Sequence, residues 1–91
     1  MEDLEIDIYK LIGILFIRKS EIEKLFNILD TEDALILNNE YIELDNILEN
    51  IYNNYNNLNK ETLYYEILKY FRNNYITINK YKIEGYNERI K

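Results

Sequence analysis

The chain has no cysteine, no histidine, no tryptophan and no proline. Valine is missing as well, and serine and alanine occur once each, as Ser20 and Ala34. Each gap removes a class of chemistry. Without cysteine there is no disulfide framework of the kind that steadies small secreted domains. Without cysteine and histidine the usual zinc ligands are gone. A nucleophile paired with a histidine base has nothing to be built from. The two glycines, Gly13 and Gly85, lie too far apart to form a phosphate-cradling loop.

Long apolar runs are missing too. The longest covers residues 11–17, far below the ~20 that span a bilayer. The first residues, Met1 to Asp7, are acidic where a secretory signal is basic. A cytoplasmic setting is therefore expected, the host cytoplasm if the gene is viral, with no membrane partner.

What is present suffices for one small domain over residues 1–91. The chain holds 16 Ile, 12 Leu, 10 Tyr and 3 Phe, far more than a disordered chain carries. Fourteen Asn beside so much Ile, Tyr and Lys matches AT-rich codon usage, as in a low-GC bacterium, its phage or its plasmid. The net charge of −6 is uneven. Residues 1–58 hold 13 acids and 4 bases, hence −9, and residues 59–91 hold 4 acids and 7 bases, hence +3.

Periodicity predicts the elements. Leu4, Ile8, Leu11, Ile12 and Leu15 form the stripe of an amphipathic helix over 4–17. Ser20 and Glu23 match a capping box, which predicts a second, short helix carrying Ile22, Leu25, Phe26 and Leu29. Asp30-Thr31-Glu32-Asp33 reads as a turn and a fresh N-cap. Residues 34–45 admit two readings. One is a hairpin around Asn38-Asn39. The other is a long helix from about Thr31 to Asn57, supported by the heptad seam Leu37, Tyr41, Leu44, Leu48, Ile51, Tyr55, Leu58. The unbroken seam favours the helix. Asn59 is the expected N-cap of a helix over 60–73, with Leu63, Tyr64, Ile67, Leu68 and Phe71 inward. Ile76, Ile78, Tyr81 and Ile83 alternate with Thr77 and Lys82, which predicts a β-hairpin turning at Asn79-Lys80. Residues 86–91 read as a fraying tail. The expected fold is mostly α, four to five helices with a short C-terminal β-hairpin, an α+β domain.

No cofactor, metal site or catalytic residue is expected. Two surfaces could bind. The stretch from Asp30 to Glu49 holds seven acids, Asp30, Glu32, Asp33, Glu40, Glu43, Asp45 and Glu49, and no base. Such a patch complements a basic partner and speeds association. Tyr52, Tyr55 and Tyr64 lie on predicted core stripes, whereas Tyr65 and Tyr70 lie off theirs and are available to a partner, as exposed Tyr is at interfaces. The leading expectation is a non-catalytic protein-binding inhibitor or adaptor, an antagonist of a nucleic-acid-handling host protein in the manner of anti-CRISPR proteins. A toxin or bacteriocin immunity protein or antitoxin is the alternative. A nucleic-acid-binding regulator using Lys69, Arg72, Lys80 and Lys82 is a third, disfavoured by the acidic whole. A homo-oligomer through Leu37, Tyr41, Leu44, Leu48, Ile51 and Tyr55 is a fourth.

Overall fold

The computed structural model describes residues 2–83, with side chains from Ile8 onward. These residues form α1 (Glu2–Leu25), α2 (Thr31–Asn54), α3 (Lys60–Asn73) and α4 (Tyr75–Lys80), with a 3₁₀ turn at Tyr55–Asn57. No strand occurs among the described residues, so the α+β expectation is overturned in favour of an all-α bundle. A 24-residue helix is ~36 Å long, and α1 and α2, each of 24 residues, account for the 43 Å long axis of a 43 × 24 × 20 Å body.

Helix α1 runs through Ser20 without a break, so the capping box there does not start a helix. Ile8, Leu11, Leu15, Arg18, Ile22 and Leu25 keep one 4-3 spacing across Ser20, and Ile8, Leu15, Ile22 and Leu25 are buried. Breaking the helix would throw that stripe out of phase. Glu23 turns instead to α2, where its carboxylate accepts the Tyr41 hydroxyl at 2.8 Å.

Helix α2 begins where the acidic tetrad predicts. Asp30 is its N-cap and accepts the Asp33 N–H at 2.9 Å. The long-helix reading of residues 34–45 holds, and the hairpin around Asn38-Asn39 does not form. Asn59 caps α3 by accepting the Thr62 N–H at 3.0 Å.

The core joins Ile8, Leu15, Ile22 and Leu25 of α1 to Leu37, Leu44, Leu48 and Ile51 of α2 and to Leu63, Ile67 and Tyr70 of α3. Each fully buried leucine contributes roughly 1.5–3 kcal/mol relative to an exposed one. Four of the six seam residues expected to join two copies pack inside the chain, Leu37 and Leu44 completely buried and Leu48 and Ile51 nearly so, whereas Tyr41 is half-buried and Tyr55 is 38% exposed.

The C-terminal hairpin is replaced by α4. Asn74, Thr77, Ile78 and Tyr81 also follow helical spacing, and that period wins because Thr77 and Tyr81 find partners in the bundle. Tyr81 is buried, whereas Ile76, assigned to the hairpin's inner face, is 74% exposed. The predicted fraying tail 86–91 and Gly85 lie outside the described residues.

Candidate functional site

Two charged residues occupy core positions of the heptad stripes. Arg18 follows Leu15 by three and precedes Ile22 by four. Glu40 stands in the same relation to Leu37 and Leu44. Both side chains are withdrawn from solvent, Arg18 to 6% and Glu40 to 0% exposure.

They meet in a bidentate pair. Arg18 Nε donates to Glu40 Oε2 at 2.7 Å, and Nη2 donates to Oε1 at 2.9 Å. Arg18 Nη1 donates to Glu21 Oε1 at 2.6 Å and to the Tyr81 carbonyl at 2.7 Å. Nη2 also reaches the Thr77 carbonyl at 3.3 Å. All five guanidinium N–H groups are thereby used. Glu40 further accepts the Thr77 hydroxyl at 2.6 Å and the Tyr70 hydroxyl. One carboxylate so gathers donors from α1, α3 and α4, and no buried side-chain polar atom among the described residues lacks a partner.

The electrostatics follow from this packing. Burial works against the Arg18 charge, but the hydrogen bonds and attraction of Glu40 and Glu21 outweigh it and raise its pKa. Burial, then the Glu40 bond, pushes the Tyr70 phenol well above its usual value. Glu40 has its acceptor sites filled by protein donors and no exposure to solvent, so the cluster is arranged to hold four helices together. Among the described residues no group of three or more acidic ligands could hold a metal ion.

The predicted acidic surface is dispersed by the fold. Glu40 is buried in the network. Asp33 accepts the Tyr81 hydroxyl at 2.9 Å, Glu43 accepts from Asn74 at 3.2 Å, and Asp45 pairs with Lys19 at 2.8 Å. Asp30, Glu32 and Glu49 are exposed, but they point around α2 in different directions. Tyr65 is 62% exposed, as expected of a partner-binding residue, whereas Tyr70 is fully buried and cannot be one. Tyr52, predicted in the core, is instead 85% exposed.

That last correction marks a different surface. α3 and α4 cover the side of the α1–α2 pair to which Arg18 and Glu40 turn. The other side carries Tyr9 and Phe16 of α1, exposed by 52 and 55%, beside Tyr52 of α2. Phe16, Lys19, Asp45, Leu48, Glu49 and Tyr52 line a shallow groove there. At one end the Tyr9 and Tyr55 rings lie 6.3 Å apart, and the Tyr55 hydroxyl donates to that of Tyr9. At the other end the hydrogen bond to Asp45 raises the Lys19 pKa. The sequence signal for this face was the seven-residue step from Tyr9 to Phe16, hidden because both residues also fit a broad apolar stripe.

No protein-family model matches the chain, and no curated protein or solved structure matches it either. No helix among the described residues is long and apolar enough to cross a membrane.

Proposed function

We propose that the chain is a non-catalytic protein-binding inhibitor or adaptor whose partner presents a basic surface. The observation that supports this most is the exposed aromatic row of Tyr9, Phe16 and Tyr52 on the side of the α1–α2 pair away from α3 and α4. Aromatic residues offer large contact area at little entropic cost and are enriched where partners bind. The charge surplus of the first 58 residues selects a basic partner and speeds its arrival. A nucleic-acid-handling host protein is such a partner, and its antagonism by a small acidic chain is the specific form of the reading.

Affinity capture from a low-GC bacterial lysate tests it. The expected result is a protein recovered in stoichiometric amount, with and without nuclease treatment. Recovery of no protein under either condition overturns the reading.

One observation favours a second reading. Tyr65, Lys69 and Arg72 follow one another at i, i+4 and i+7 on α3, and all are exposed. This is a face on which bases could stack beside cations. It predicts salt-sensitive retention of single-stranded DNA or RNA, and unchanged mobility in a low-salt gel shift removes it.

A further inference from the structure

Gly13 lies in the middle of α1, where glycine costs stability relative to alanine. Nothing among the described residues accounts for it. Its φ is not positive, so the backbone does not require glycine. A Cβ built there would meet nothing within 4 Å, so no neighbour requires it either. The space is open among the described residues and borders the exposed side chains of Tyr9, four residues before, and Phe16 and Ile17, three and four residues after. All three are more than half exposed. Gly13 thus forms a notch between apolar walls, where another backbone can come close.

We propose that this notch and the adjoining groove seat a basic amphipathic helix of a partner protein. The inference rests on the protein-binding reading above and names its face and its partner's chemistry. Charge selects the occupant. Lys19 is neutralised by Asp45 at 2.8 Å, while Glu49 is exposed and has no ion pair among the described residues. The groove keeps a net negative charge, and no base occurs between Lys24 and Lys60 to offset it. A Lys or Arg of the occupant faces Glu49, and its apolar residues cover Tyr9, Phe16 and Tyr52. A second copy, itself carrying −6, would bring like charges together. The face from the Tyr9–Tyr55 contact to the Lys19–Asp45 pair spans eleven residues of α1, about three helical turns at 1.5 Å per residue. That length takes apolar anchors at i, i+3 or i+4, and i+7.

The test is an NMR titration of the ¹⁵N-labelled chain with a synthetic amphipathic helix of Lys, Leu and Ala. A counterpart with Glu for Lys serves as the comparison. The basic peptide is expected to shift the amides of Tyr9, Gly13, Phe16, Glu49 and Tyr52 in a saturable way, and the acidic one is not. Gly13→Leu should fill the notch while keeping the circular dichroism of the wild type, since its side chain enters open space. It and Glu49→Lys should each weaken binding about tenfold or more, and Ile76→Ser on α4 should leave it unchanged. Shifts confined to α3 and α4, equal binding of the acidic peptide, undiminished binding by Gly13→Leu, or no shifts with either peptide overturn the proposal. So does a concentration-dependent dimer that Gly13→Leu dissociates, because the occupant is then a second copy. A lysate protein captured equally by wild type and Gly13→Leu refutes this face and leaves the binding reading standing. Capture of nothing refutes the reading itself.

Discussion

The Arg18 guanidinium meets the Glu40 carboxylate edge to edge, with Nε on Oε2 at 2.7 Å and Nη2 on Oε1 at 2.9 Å, beyond the reach of solvent. Residues 22 apart on two antiparallel helices are held at one point. Helices α3 and α4 are fastened there too, through the Tyr70 and Thr77 hydroxyls. A buried pair of this kind stabilises little against a well-packed apolar replacement, because desolvation offsets much of the attraction. Its effect lies in specificity: an unsatisfied Glu40 penalises any packing in which Arg18, Tyr70 and Thr77 are elsewhere.

Removing one partner should therefore cost more than removing both. Arg18→Met leaves a buried carboxylate without its cation and should destabilise the fold by about 3–5 kcal/mol. A domain of this size has roughly 5–14 kcal/mol in total. Arg18→Met combined with Glu40→Leu should recover part of that loss. Urea denaturation of the two variants measures the difference. A double variant less stable than the single one would contradict the account.

The raised Tyr70 pKa predicts a loss of stability in alkali. The phenol is neutral in both states below its unfolded value of ~10. Above that pH the unfolded chain releases the proton while the folded one keeps it, so stability falls as pH rises toward the folded pKa. Tyr70→Phe should flatten the decline between about pH 10 and 11, although it lowers stability at neutral pH by taking a donor from Glu40. Chemical denaturation midpoints across that range are the measurement. An unaltered slope would show that other tyrosines govern it.

Gly13→Ala should stabilise the chain by about 0.8–1 kcal/mol, because the added methyl meets no neighbour within 4 Å. A higher denaturation midpoint with an unchanged m-value is the expected result. A lower midpoint would reveal a steric requirement for glycine at this position.

Leu44→Ala should lower stability by about 2–5 kcal/mol without changing the mass seen by light scattering. Leu44 is completely buried within the chain. A seam shared between copies would instead lose an oligomer, and that outcome would reverse the assignment of this stripe to the core.

Much of the local structure could be read along the chain. The Asp30 and Asn59 caps begin their helices as expected, because a cap is made by residues two or three apart. The stripe through Leu37, Leu44, Leu48 and Ile51 is buried for the same local reason, since helical periodicity puts those residues on one face. The exposed row was less readable. Tyr9 and Tyr52 are apolar in pattern, and only the partner helices decide which edge of a broad stripe is covered.

The sequence by itself determined that the chain folds around isoleucine, leucine and tyrosine, where α2 and α3 begin, and which side chains it has for chemistry. Tertiary structure decided the rest. Ser20-Glu21-Ile22-Glu23 is a sound capping motif, yet α1 passes through it because Arg18 and Ile22 are held on one stripe by α2. Residues 76–83 alternate like a strand, yet Tyr75–Lys80 is helical because Thr77 and Tyr81 meet Glu40 and Arg18. Glu40 was one acid among seven until the bundle buried it. Contacts between residues 22 to 63 positions apart decided all three outcomes. A cap or an alternating pattern involves only near neighbours, whereas a helix placed otherwise would leave the buried Glu40 and Arg18 without these partners.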